Sequence, residues 1–203
     1  MSQQTIVTLD LEGVLVPEIW IAFAEKTGIP ELRRTTRDEP DYDVLMKGRL
    51  KILDEHGLKL PDIQDVIATL SPMEGAKAFL DELRSLTQVI ILSDTFEEFA
   101  QPLMRQLGWP TIFCHKLDVD STGRIVNYTL RQSNQKQHAV NAFRGLNYKV
   151  IAAGDSYNDT HMLIAANKGF FFHAPESIKS EFPQFTGFDQ YADLLAAVKT
   201  ELI

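Results

Sequence analysis

Asp10 with Glu12, Ser93, and the pair Asp155 and Asp159 are the residues whose types and positions could do chemistry. Asp10, Ser93 and Asp155 each stand at or next to the end of a short apolar run. A carboxylate can attack as a nucleophile, move a proton or ligate a metal, and a hydroxyl can hold an anion. Asp155 and Asp159 are four apart, so a helix beginning near Ser156 would turn both toward one side of its first turn. Alone, that pair reads equally well as an acidic helix start that complements the dipole. An acidic residue after a strand is by itself an ordinary turn former. Brought together with Asp10 and Glu12, these carboxylates would repel one another unless a hard cation sat among them. Mg2+, with its oxygen ligands, suits that role.

The elements that must position them follow from the hydrophobic pattern. Thr5-Ile6-Val7-Thr8-Leu9 is a β-branched run that stops at Asp10, which predicts a buried strand. A helical stretch follows: Ile19, Trp20, Phe23 and Ala24 share a face, and Gly28-Ile29-Pro30 breaks it. Val44 to Leu53 predicts a second helix ending at His56-Gly57, and Asp62 to Leu70 a third before Pro72. Beyond Pro72 strands and helices alternate. Helices are expected over 76–86, 96–107, 135–144 and 158–166, and strands over 88–92, 148–153 and 169–172. Residues 111–117 and 125–130 flank a polar turn and read as a hairpin. The fold class expected is α/β, a mostly parallel, Rossmann-like doubly wound sheet with a helical cap inserted after the first strand. The catalytic core would comprise residues 1–14 and 73–203, and the cap subdomain 15–72. Ligands of such sheets bind beyond the carboxyl ends of the strands, so the strand-end residues should meet in one crevice.

Bulk properties narrow the partners. The 203 residues carry 20 basic and 28 acidic side chains, a formal charge of −8, which does not suit nucleic acid as a partner. A small phosphorylated molecule remains compatible, because a metal ion and a few local cations offset the field. The single cysteine, Cys114, allows no disulfide within the chain. Met-Ser-Gln-Gln-Thr-Ile-Val lacks the basic and apolar regions of a signal peptide, and no apolar run is long enough to span a membrane. A reducing, cytoplasmic setting is expected. The five histidines are scattered without metal-ligand spacing and read as structural or solvated.

Asp10-Leu11-Glu12-Gly13-Val14, Ser93, Lys136 and Gly154-Asp155-Ser156-Tyr157-Asn158-Asp159 resemble, in order and spacing, the four motifs of the haloacid dehalogenase superfamily of phosphatases. The helical insert and Leu92-Ser93-Asp94-Thr95 resemble its phosphoserine phosphatase type. The run from Asp10 to Trp20 is similar to the bacterial members that also transfer phosphate from phosphoserine to homoserine. The resemblance spans nearly the whole chain.

That resemblance implies Asp10 as the nucleophile that forms an aspartyl-phosphate. It implies Mg2+ held by Asp10, Asp155 and the backbone carbonyl of Glu12, with Asp159 supporting the metal's waters. Ser93 and Lys136 would hold the other phosphoryl oxygens, although from its context Lys136 reads as a solvated helix-start lysine and Ser93 as a cap. In the inserted helices, Arg49 would bind the substrate carboxylate and Glu18 its ammonium; the alternative for each is surface charge on an amphipathic helix. Asn134, beside Lys136, is a candidate for touching phosphate or substrate, or a turn residue. Glu12 stands where the family usually has an aspartate acting as general acid and base, and its extra methylene moves the carboxyl by about 1.5 Å. Val14 replaces the usual threonine. An exposed apolar face on the core would support a homodimer. Other readings are a phosphatase of another small ester, a receiver-like signalling module, or an inactive binding protein. Receivers carry the acceptor aspartate mid-chain with an acidic pair upstream, whereas here the acceptor candidate is residue 10.

Overall fold

A computed structural model describes residues 3–35, 38–39 and 41–202. Met1 and Ser2, on which part of the signal-peptide reading rests, lie outside the described residues, as do Thr36, Arg37 and Pro40 of the expected cap span.

The chain opens with β1 (Thr5–Leu9), whose side chains are buried on both faces. Helices α1 (Ile19–Thr27), α2 (Tyr42–Glu55) and α3 (Leu60–Ala68) follow before α4 (Ala76–Leu86) and β2 (Gln88–Phe96). The remainder alternates: α5 (Glu97–Gln106), β3 (Thr111–Val119), β4 (Ile125–Thr129), α6 (Gln135–Gly145), β5 (Lys149–Gly154), α7 (Thr160–Ala165), β6 (Lys168–Phe172), α8 (Glu176–Glu181), β7 (Thr186–Phe188) and α9 (Tyr191–Glu201).

The seven strands lie in the order β4-β3-β2-β1-β5-β6-β7. All neighbours are parallel except β3 and β4, which pair antiparallel as the expected hairpin. The two faces can be read from the alternation. Val7, Leu9, Ile151, Ala153, Phe170 and Phe172 belong to one core with α4, α5 and α9, while Ile6, Val150, Ala152 and Phe171 belong to another with α6, α7 and α8. Strands covered on both sides can be apolar at every position, which is why the runs in β1, β5 and β6 show no polar residues in alternation. Each fully buried Leu or Phe contributes about 2 kcal/mol of transfer free energy to this arrangement.

Two boundaries differ from the sequence reading, and three elements are additional to it. β2 does not stop at Leu92 but continues to Phe96, with its register against β3 shifting between those residues. The shift lets Ser93 and Asp94 sit within an extended segment despite breaking the apolar run. The segment after Asp155 is first a 3-10 turn, Tyr157–Asp159, and α7 begins only at Thr160. The elements α8, β7 and α9 were not anticipated; β7 adds a parallel edge strand beside β6.

Helices α2 and α3 are tied to the sheet at the β3–β4 hairpin. Asp54 pairs with Arg124 at 2.5 and 2.9 Å, Tyr128 donates to Asp43 at 2.7 Å, and Leu60 N–H donates to the Gly123 carbonyl at 2.8 Å. No described helix is long and apolar enough to cross a membrane.

Candidate active site

β1, β2 and β5 are adjacent at the centre of the sheet; Asp10 and Asp155 directly follow β1 and β5, and Ser93 lies in the carboxyl-terminal half of β2, where its register shifts. Leu9 is level with Ile91 on one side and Ala153 on the other, and the Asp10 N–H donates to the Ala153 carbonyl at 3.0 Å. The chain departs from β1 toward β2 on one side and returns to β5 on the other, so these ends flank the point where the strand order reverses.

Asp159 is fully buried, and its position is fixed by its own turn. Its Oδ2 accepts from the N–H groups of Asp155 and Ser156 at 3.0 and 3.1 Å and from Ser156 Oγ at 3.2 Å. Gly154 makes room for it, since a Cβ there would lie 2.4 Å from Asp159 Cβ. Gly13 does the same for Asp155: its φ is +76°, and an added Cβ would meet the Asp155 carboxyl at 2.5 Å. The two motif glycines are therefore what lets the carboxylates approach the strand ends.

Lys136, buried at the start of α6, places its ammonium 2.8 Å from Asp10 and 2.8 Å from Asp159. Burial works against its charge, but Asp10, Asp159 and Asp94 together raise its pKa well above the ordinary value. The solvated-lysine reading is thereby corrected, because the adjoining strand ends supply buried counter-charges that local sequence does not display. Carboxylate oxygens of Asp10, Asp155 and Asp159 all lie within 4.8 Å of one another. Burial, with the Asp159 charge, pushes the Asp10 carboxyl up and lifts Asp155 to about 7. Three crowded carboxylates against one ammonium form a donor set fit for a hard divalent cation. The Glu12 carboxylate is not part of that set.

Glu12 faces the inserted helices instead. Its Oε2 accepts the Ile19 N–H at 2.9 Å, and burial together with the neighbouring Glu18 charge pushes its carboxyl up to about 8. Glu18 itself is exposed and lines the same cavity, of about 890 Å3, as Asp10, Glu12, Arg49, Ser93, Asn134, Lys136 and Asp155. Arg49 is buried rather than on the surface: its guanidinium lies 4.4 Å from the Trp20 ring centre and donates to the Arg34 carbonyl at 2.6 Å. Its Nε has no hydrogen-bond partner among the described residues. Ser93 is buried within β2, with its Oγ accepting the Thr95 N–H at 3.2 Å; α5 is preceded by Phe96, so Ser93 does not cap that helix. Asn134 precedes α6 in a left-handed conformation, φ +46°, at the cavity wall.

Four neighbours of these residues were not singled out from the sequence. Asp94 Oδ1 accepts from Gln135 Nε2 at 3.2 Å and lies 3.6 Å from His115 Nε2; its Oδ2 is 3.8 Å from Lys136. Gln135 also donates to the Ser93 carbonyl and accepts from Arg131 at 2.8 and 3.1 Å, while the Arg131 N–H donates to His115 Nδ1 at 3.1 Å. His115 is thus buried in the wall of the site, within the structural role expected of it. The adjacency of Gln135 to Lys136 and of Asp94 to Ser93 was the one signal available.

The sequence model of the haloacid dehalogenase-like hydrolases matches residues 5–167, which contain every residue of this site. The chain belongs to the haloacid dehalogenase-like hydrolase family. This hydrolase is 67% identical over 189 residues to the phosphoserine phosphatase ThrH of Pseudomonas aeruginosa, covering 93% of this chain and 92% of that protein. It is 65% identical to a phosphoserine phosphatase of Pseudomonas syringae pv. tomato, over 93% of this chain and 80% of the other. Among solved structures, a phosphoserine phosphatase from T. onnurineus superposes with a TM-score of 0.73 at 21% identity, covering 97% of this hydrolase and 95% of that chain. At that identity the likeness establishes the fold: an α/β, Rossmann-like, mostly parallel sheet.

Proposed function

We propose that this hydrolase removes the phosphoryl group from phosphoserine by way of an aspartyl-phosphate on Asp10, with Mg2+ as cofactor, and that it also passes the group to homoserine. What carries the reading is the Lys136 ammonium held 2.8 Å from Asp10 beside Asp155 and Asp159, at the floor of a cavity that also contains Arg49 and Glu18. The high identity to phosphoserine phosphatases of two pseudomonads supports the substrate.

Asp10, Asp155 and the Glu12 carbonyl would hold the metal, with Asp159 behind them. When bound, the cation would neutralise charge where the carboxylate and the phosphoryl group, both anionic, approach. Asp10 attacks phosphorus through a carboxylate oxygen, and the bond from phosphorus to the serine oxygen breaks. Glu12, protonated at neutral pH with its pKa of about 8, gives its proton to that departing oxygen. In the second half, the Glu12 carboxylate takes a proton from water or from the homoserine hydroxyl. The oxygen so activated attacks phosphorus and releases Asp10. Lys136 and Ser93 hold the remaining phosphoryl oxygens and prevent the group from turning. Residues 15–72 act as the cap over a core of 1–14 and 73–203, with Arg49 reading the substrate carboxylate and Glu18 its ammonium. Asn134 bounds the phosphate side of the pocket.

The test is to incubate the purified protein with phosphoserine and Mg2+, with and without homoserine, following phosphate and phosphohomoserine. Phosphate release that falls as phosphohomoserine appears is the expected result. Phosphate alone removes the transfer to homoserine, and neither product removes phosphoserine as the substrate.

A further inference from the structure

We propose that Asp94 is a resident counter-anion of Lys136, one that competes with the phosphoryl group and keeps the site's hold on inorganic phosphate weak. The inference rests on the reading above, in which Lys136 receives a phosphoryl oxygen.

The Lys136 ammonium has three hydrogens and two close acceptors, Asp10 and Asp159, each at 2.8 Å. The next carboxylate is Asp94, whose Oδ2 stands 3.8 Å away at the cavity wall. Asp94 is anchored from behind. Gln135 donates to its Oδ1 at 3.2 Å, His115 Nε2 lies 3.6 Å from the same oxygen, and Tyr42 donates to its main-chain carbonyl at 3.4 Å. Gln135 is in turn clamped by Arg131, so the carboxylate is held at its post rather than free to swing into solvent. Partial burial opposes its ionisation, but the Lys136 charge, the nearby His115 imidazole and the Gln135 hydrogen bond outweigh that and hold the carboxyl well below its usual range.

A phosphoryl group that takes the third Lys136 hydrogen must therefore settle beside a fixed negative charge, on a side chain that is 37% exposed and only partly screened by solvent. Like charges at such a distance repel more strongly there than in water. The transferring group tolerates this because it is bound covalently or through the rest of the substrate. Inorganic phosphate has no such attachment, so Asp94 weighs most heavily against the product. Arg49 and Glu18 would recover affinity for the whole substrate, leaving the product without those contacts.

The experiment titrates inorganic phosphate into the Mg2+-loaded protein by calorimetry and measures phosphate inhibition in parallel. For Asp94→Asn, which keeps the shape and loses the charge, the dissociation and inhibition constants should fall by about tenfold. A disrupted site would weaken binding, so the direction separates the proposal from damage. Unchanged or weaker binding by the folded variant overturns it, as does equal tightening by Asp193→Asn, an exposed control of the same net charge. Should Asp94→Asn fail to fold, Asp94→Ser decides by the same criterion. Absence of phosphate binding in both the wild type and Asp94→Asn overturns this proposal together with the site reading beneath it. Wild-type binding without tightening in the variant overturns the role of Asp94 alone.

Discussion

Glu12 Oε2 accepts the backbone N–H of Ile19 at 2.9 Å, which ties the loop after the first strand to the first turn of the inserted helices. The contact holds the carboxyl outside the acidic cluster, in a half-buried position beside Glu18. Those surroundings, rather than the identity of the side chain, lift its pKa to about 8. A glutamate in place of the family's usual aspartate is thus kept as an acid at neutral pH.

The pH dependence should show it. For phosphoserine, kcat/KM should fall as pH rises through about 8, because ionised Glu12 has no proton for the serine oxygen. An aryl phosphate needs no proton on its leaving group, and its profile should stay flat across the same range. Identical alkaline limbs for the two esters would remove Glu12 as the acid.

Replacing Asp10 with Asn should lower kcat by at least about 10^3-fold, since the amide cannot attack phosphorus. The fold should survive, because the Leu11 N–H and Lys136 contacts at Asp10 Oδ1 can be kept by an amide oxygen. Near-ultraviolet circular dichroism checks the fold and single-turnover phosphate release the chemistry. Appreciable turnover in a folded variant would show that another group is the nucleophile.

Asp10, Ser93 and Asp155 were legible because each ends a run that is buried on both faces of the sheet, and a polar residue ending such a run must lie at its edge. The C-terminal helix could have been read as well: Leu194, Leu195 and Val198 have helical spacing and are buried. Edge strand β7 has three residues, too few for a periodic signal. Asp94, His115, Arg131 and Gln135 were hidden for a different reason. They are polar residues in polar stretches, and their mutual contacts span 16 to 41 positions for all but the Arg131–Gln135 pair. Lys136 had the same difficulty, since its counter-charges come from residues 10 and 159. A local pattern reports burial against the sheet, not which charges a distant strand end supplies.

The acidic cluster should make the metal-free protein less stable as pH rises. Asp10, Glu12 and Asp155 are all raised in the folded state, Asp155 to about 7 and Glu12 to about 8. Above the ordinary carboxylate values, near pH 4, the unfolded chain gives up protons that the folded chain keeps, so stability falls from there toward pH 8. Asp94 acts oppositely: its contribution is present at neutral pH and is lost as acid takes the pH below its ordinary 3.8. With a chelator present, Tm should therefore decline between pH 5 and 8. Mg2+ should raise Tm more at pH 8 than at pH 6, because its ligands must be deprotonated to bind. A Tm that is flat with chelator, or an equal metal effect at both values, would contradict the crowding argument.

Arg49 braces the fold, and the substrate-carboxylate contact proposed for it can be separated from that brace. The guanidinium packs over Trp20 and holds the Arg34 carbonyl at 2.6 Å, so Arg49→Ala should cost about 1–2 kcal/mol of stability. Loss of a charged hydrogen bond to the substrate carboxylate should raise the KM for phosphoserine by roughly 10- to 100-fold. An aryl phosphate, which has no carboxylate, should show a KM change of only about twofold, within the reach of loosened packing. Arg49→Lys retains the charge but not the planar fork, and should recover part of the phosphoserine affinity without restoring the contact to Arg34. Chemical denaturation measures the first effect and steady-state kinetics with the two esters the second. Equal KM increases for both esters would leave Arg49 as a brace between Trp20 and the segment at Arg34, with the substrate carboxylate read elsewhere.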